Sequence, residues 1–313
     1  MPYSISSLTP EERDALFQAN EPRLLFTRKS DIYGCCVKLL TDDDAVRRKW
    51  DDNFYAMSES VRSHARLVSV RDPSKEAGVQ YEPLSRTAFA FNLEYYGWIK
   101  SVALALAGDV LEDEHSIYSV HGAALDIGGE GVALIAPSKT GKTTHAWGLL
   151  RLPDARLITD DWFFVRLSDR RHLAFGSEKN CYVDAGIANI WPEYKPLVEK
   201  AQLDDEERAI MNVRWIIGPT GVIPMTSMRH AILLKRDNSD PRVSRSLDTD
   251  EALQYLLDND FCNPHQLVRS ERKLSIRTEF FRRFLDRVDV HLVNTILAPE
   301  ETQREIRQLI RRT

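Results

Sequence analysis

One stretch of the sequence, "APSKTGKTT" from Ala136 to Thr144, concentrates side chains suited to holding phosphate. Gly141, Lys142 and Thr143 supply in order a residue that lets backbone N–H groups converge, a cation for terminal phosphates, and a hydroxyl able to ligate Mg²⁺. Ser138, Lys139, Thr140 and Thr144 complete the loop that would wrap the phosphates. Two positions depart from the usual motif. Ala136 stands where the first glycine is expected, and alanine resists positive φ. Lys139 stands where many such loops carry another glycine. It could lie along the phosphates as a second charge, but the simpler expectation is that it points to solvent.

Further on, "LITDDW" ends an apolar run with Asp160 and Asp161. An acid at a strand end beside a phosphate loop can hold Mg²⁺. A second acid can accept the proton of an attacking hydroxyl. The competing expectation is that one aspartate caps a turn. His121-Gly122 precedes the loop. Histidine alone on an apolar strand is more often a satisfied core residue than a catalyst. Glu178 and Lys179 in "GSEKNCYVDAG" (176–186, with Tyr182) and Arg214 in "NVRW" could contact phosphate or metal. An exposed charged turn and a structural ion pair are the simpler expectations for these.

The elements needed to position these groups are legible as patterns. "YSVHGAALDI" and "GVALIAP", separated by "GGEG", read as two strands of a hairpin. The second strand runs into the phosphate loop, and a helix follows from about residue 141 to 150. Residues 155–167 read as one further strand, and 230–237 as another. A capped helix is expected over 249–260, then helix 276–287, strand 288–294 and helix 299–312. In the first part, Thr9-Pro10-Glu11-Glu12 reads as a helix start. Residues 31–40 and 86–92 read as strands, and 44–57 and 93–113 as helices. A shift in composition near residue 115 suggests a boundary.

The chain has 313 residues, 43% hydrophobic and 28% charged, with a net charge of -5. It is long enough for one large domain or two modest ones. That charge gives no reason to expect a nucleic-acid partner, but a local nest of N–H groups can hold an anion regardless. The most apolar helical stretch, Trp98 to Val110, is too short to span a bilayer. No signal peptide is expected from the polar start, and no membrane association. The four cysteines show no C-x-x-C spacing, which argues against a zinc site or a disulfide framework. A reducing, cytoplasmic setting is the expectation.

The run from His121 to Asp161 resembles the core of the HPr kinase/phosphorylase family. The resemblance rests on His121-Gly122, a strand ending in Asp126, a glycine turn over 128–131, the strand Val132–Ile135, the loop Ala136–Thr143, and Asp160-Asp161. The string Ser138 to Thr144 is also similar to ATP-dependent phosphoenolpyruvate carboxykinase. The resemblance implies an α/β fold: an HPr-kinase/phosphoenolpyruvate-carboxykinase-like P-loop core with a mixed sheet over residues 116–313. A smaller α+β domain over 1–115 lies outside it. It further implies ATP and Mg²⁺ as cofactors. Lys142 and the loop 138–144 would hold nucleotide, Thr143 and Asp161 the metal, and Asp160 with His121 would act at the transfer centre. No glycine-rich stretch like the one that contacts HPr follows the aspartates, which argues against HPr itself; the resemblance extends to peptide-modifying serine kinases, so it implies serine of a protein or peptide as the acceptor. A small-molecule alcohol is the alternative, as is a nucleotide-binding regulator with little transferase activity. A homo-oligomer is compatible with this reading.

Overall fold

A computed structural model describes residues 3–184, 186–199, 202–203, 208–211 and 218–311. The chain divides into two compact units. The first takes residues Met1–Ile117 and also Pro264–Lys273, so the single boundary expected near residue 115 misses a segment that returns from late in the chain.

The first unit contains β1 (Ser4–Ser7), α1 (Pro10–Asn20), β2 (Phe26–Ile32), β3 (Cys35–Thr41), α2 (Asp44–Asn53), β4 (Tyr55–Ala56), β5 (Ala65–Val70), β6 (Gly78–Glu82), β7 (Thr87–Phe91) and α3 (Tyr96–His115). Its mixed sheet has the order β1-β6-β7-β5-β3-β2-β4. The run 31–40 is not one strand. Tyr33 and Gly34 both take positive φ, and this two-residue turn folds β2 back on β3. The helix start at Thr9 is a full capping box with Glu12. The long helix α3 is buried nearly all round and packs on β3 and β5. The returning segment is fixed by Lys273, whose ammonium lies 2.8 Å from Asp109, 2.7 Å from Glu112 and 2.9 Å from Asp113. Burial alone would lower this lysine's pKa, but the charges of Asp109 and Glu112 outweigh it and raise the value.

The second unit contains β8 (Ile117–Ile127), β9 (Glu130–Ile135), α4 (Lys142–Leu149), β10 (Ala155–Thr159), β11 (Trp162–Arg166), β12 (Leu173–Gly176), β13 (Cys181–Asp184), α5 (Ile187–Ile190), α6 (Lys195–Val198), β14 (Gln202–Leu203), β15 (Arg208–Met211), β16 (Met225–Lys235), β17 (Ser244–Leu247), α7 (Thr249–Asp258), α8 (Glu271–Leu285), β18 (Asp289–Asn294) and α9 (Pro299–Leu309). Its main sheet is also mixed, ordered β10-β8-β11-β12-β16-β18-β17, with β9 paired to both β8 and β16. Strands β13, β15 and β14 form a separate small sheet.

Both faces of the main sheet are covered, which explains the unbroken apolar runs "VALI" and "AILL". Alternate residues of one strand serve opposite faces. Val132, Leu134, Ile232 and Leu234 pack with Trp147, Leu149, Trp191 and Ile306. Ala133, Ile135, Ala231 and Leu233 pack with Leu253, Leu256, Phe280 and Phe284. Each large side chain so buried contributes roughly 1.5–3 kcal/mol. The run 155–167 is two strands, because the chain leaves β10 at Asp160 and re-enters the sheet as β11 on the other side of β8. Among the described residues, no helix is long and apolar enough to cross a membrane.

Candidate phosphate-binding site

The site begins with the β8–β9 hairpin. Gly128 and Gly129 both take positive φ, at 62° and 92°, as a two-residue hairpin turn requires. This turn sets the register that places Gly122 opposite Ile135. One step further along each strand, His121 lies alongside Ala136, where the loop 136–141 leaves the sheet. Glycine is required at 122, since a Cβ there would come within 2.8 Å of the Leu134 carbonyl oxygen and 3.1 Å of the Phe163 ring.

The loop from Ala136 to Gly141 is tied together internally. The Thr140 hydroxyl donates to the Pro137 carbonyl at 2.7 Å, and the Thr295 hydroxyl donates to the Thr140 carbonyl at 2.9 Å. Ala136 is buried without a positive φ, so its replacement of glycine introduces no backbone strain. Lys139 does take a left-handed φ, 67°, the conformation for which glycine would be the easier residue. Lys139 and Ser138 are exposed.

Gly141, at φ 96°, precedes α4, and no side chain caps that helix start. The first-turn N–H groups of any helix lack intrahelical acceptors and sit at the positive end of its dipole. In α4 they belong to Lys142, Thr143 and Thr144. The helix is held from behind: the Trp191 indole N–H donates to the Thr144 carbonyl at 2.9 Å, and the Tyr194 hydroxyl donates to the Trp147 carbonyl at 2.8 Å. His145 lies under Gly141, with Nδ1 3.1 Å from Gln303 Oε1. Burial lowers the pKa of His145, which favours its neutral form.

Three predicted residues converge here. Lys142 Nζ is 2.9 Å from Asp161 Oδ1 and 3.2 Å from His121 Nε2, and that same Nε2 is 3.2 Å from Asp161 Oδ1. The Gly122 N–H donates to the Asp161 carbonyl at 2.8 Å, fixing the strand end beside the histidine. The sequence reading pairs His121 with Asp160, whereas the carboxylate beside Nε2 is that of Asp161. The physical reason is the strand break. Asp160 still follows β10 and is buried, while Asp161 turns with the chain and keeps its carboxylate partly open to solvent, at 27%. The His121 ring reaches both the lysine and the aspartate.

Thr143 and Thr144 lie on the first turn of α4 and are half-buried. Glu178 and Lys179 are also half-buried, not the exposed charged turn expected of them. The Tyr182 side chain and Arg214 lie outside the described residues. The sequence reading missed Cys262, whose carbonyl oxygen is 2.6 Å from His121 Nδ1. Nothing in local pattern links positions so far apart in the chain. All four cysteines are buried thiols without disulfides.

The donor set suits a nucleotide and a divalent cation. A left-handed loop residue, an uncapped helix start and a half-buried lysine are features from which anion cradles are built. Among the described residues, no three His, Cys, Asp or Glu side chains gather to hold a metal ion alone. A cation here would depend on phosphate oxygens as well as Thr143 and a carboxylate, which is how a phosphate loop ordinarily shares its Mg²⁺.

The fold and site together define a mixed α/β protein. No protein-family model matches the chain, and no curated protein matches it. Among solved structures, the chain is similar to the Hpr(Ser) kinase/phosphatase from Coxiella burnetii, with 15% identity and a TM-score of 0.38. The match covers 62% of this chain and 88% of that one.

Proposed function

We propose that this protein is an ATP-dependent phosphotransferase that moves the γ-phosphoryl group to an acceptor hydroxyl, with serine of a protein or peptide as the acceptor. The observation that carries this reading is the convergence of Lys142, Asp161 and His121 at the mouth of an uncapped, glycine-preceded helix. The loop amides and Lys142 bind the phosphates. Thr143, with a carboxylate of the Asp160-Asp161 pair, would hold Mg²⁺. ATP would supply the phosphoryl group, and the cation would neutralise charge on it. Asp161 accepts the proton of the acceptor hydroxyl, because its carboxylate is the one of the pair open to solvent. Lys142 donates to that carboxylate and to His121 Nε2, and so holds the three groups together. Catalysis in such a site consists chiefly of positioning and charge neutralisation.

Lys142 contacts both Asp161 and His121. Phosphate oxygens would compete for the ammonium and leave the carboxylate to meet the acceptor. Lys139 contributes its backbone to the loop while its side chain stands in solvent.

The test has two parts. Calorimetry with Mg-ATP should show binding to the wild type and at least a hundredfold loss in Lys142→Ala. Transfer of labelled phosphate to pooled serine peptides and to pooled metabolites should label the peptides. Wild-type affinity in Lys142→Ala would sink the site assignment. Labelling of the metabolites alone would move the acceptor class to a small alcohol.

A further inference from the structure

The turn that follows α7 is unusual. Asp260, Phe261 and Cys262 all take left-handed φ, at 51°, 53° and 55°. One left-handed residue is enough to end a helix, and it is usually glycine. Three in succession, none of them glycine, exceed what ending α7 requires, since each non-glycine residue is strained there. Such strain persists only where surrounding structure over-determines it, and it gathers at functional sites.

Here the surroundings are visible. Phe261 is buried and stacks on Phe281, with centroids 5.3 Å apart and ring planes 8° from parallel. Cys262 is buried in the same core. The Cys262 N–H donates to the Asn259 carbonyl at 2.8 Å, and the Asn263 N–H donates to the Asp260 carbonyl at 3.0 Å. The product of this turn is the aim of one group: the Cys262 carbonyl oxygen, 2.6 Å from His121 Nδ1.

We infer that the Asp260–Phe261–Cys262 turn is a positioning element for the phosphate site, which fixes His121 through the Cys262 carbonyl. The chemistry follows from what each partner can do. A carbonyl oxygen only accepts, so Nδ1 of His121 carries the proton that it receives. A lysine ammonium only donates, so Nε2 of the same ring is the acceptor facing Lys142. One ring nitrogen's bond thus sets the state of the other. The turn holds Nε2 toward Lys142 in the form that can accept, and the ammonium, donating to both, bridges Nε2 and the Asp161 carboxylate. Cys262 acts here through its backbone; its thiol, raised to about 12 by burial, takes no part. Phe261 is the positioning residue, because its seat against Phe281 holds the turn in its left-handed form.

The experiment is long-range ¹H–¹⁵N correlation NMR of the full chain at pH 8, with His121 assigned by substitution. The wild type should show His121 protonated at Nδ1, and Cys262→Ala, which keeps the carbonyl, should show the same. Phe261→Ala should shift the ring toward the Nε2–H form, and Phe261→Leu should restore it. The turnover arm rests on the function proposed above. There, Phe261→Ala should lower the transfer rate about tenfold with nucleotide affinity unchanged. An Nε2–H tautomer in the wild type overturns the inference, and so does a folded Phe261→Ala variant with both wild-type tautomer and wild-type rate. If Phe261→Ala does not fold, the wild-type and Cys262→Ala spectra still decide. If the wild type transfers no phosphate to any acceptor, the proposed function fails while the spectra test the turn independently.

Discussion

Replacing Asp161 by asparagine separates two roles that one carboxylate could play. Asp161 Oδ1 and Lys142 Nζ are 2.9 Å apart, and both side chains are mostly shielded, at 27% and 12% exposure. The gross attraction at an effective dielectric near 20 is about 6 kcal/mol. Desolvation offsets most of it, and a hydrogen bond to a charged group is worth roughly 1.5–3 kcal/mol net. Phosphate must displace this bond to reach the ammonium. The Asp161→Asn variant removes the competing charge and keeps the shape. Without Mg²⁺, its affinity for ADP should therefore rise, by about tenfold, since 1.4 kcal/mol is one factor of ten. With Mg-ATP and an acceptor, transfer should fall about 10²–10⁴-fold, the usual loss on removing a general base. Titration calorimetry in EDTA reads the first effect and labelled-phosphate transfer the second. If ADP binding in EDTA weakens or is unchanged, the reasoning that Asp161 occupies Lys142 in the resting site is refuted. If Mg-dependent binding collapses instead, Asp161 holds the cation and Asp160 becomes the candidate base.

Three other outcomes are expected. Lys139→Gly should leave turnover within about twofold and stability within about 1 kcal/mol, because relief of the left-handed φ is offset by the greater freedom of glycine in the unfolded chain. A tenfold drop in turnover with unchanged melting would make Lys139 a site residue. Lys273→Ala should cost about 3–5 kcal/mol in urea unfolding, since it leaves Asp109 and Glu112 buried without their cation; a loss under 1 kcal/mol would contradict the pinning role of that lysine. Finally, burial lowers the pKa values of His145, His172, His230 and His291 below the ordinary 6.5. The unfolded chain then binds more protons than the folded one as pH drops through 6.5, so this contribution is complete above that value and is lost below it. The urea midpoint should be lower at pH 5 than at pH 7.5, and equal midpoints would refute it.

What the sequence by itself determined is local. The loop that ends at Gly141 and the helix behind it depend on neighbours a few residues apart. So do the capping boxes at Thr9 and Asp248. The paired glycines 128 and 129 set a two-residue turn, and that turn alone carries His121 to the start of the loop. Tertiary structure decided the rest, because it concerns groups that meet only after distant segments pack. The run 155–167 looked continuous, since each half is apolar. It breaks at Asp160-Asp161 because β8 lies between β10 and β11, and that break selects which aspartate meets Lys142. The return of Pro264–Lys273 to the first unit rests on a buried lysine among acids of α3, a pairing without local periodicity. The Cys262 carbonyl is the clearest case. A backbone oxygen has no residue type to betray it, and only the packing of Phe261 on Phe281 turns it toward His121.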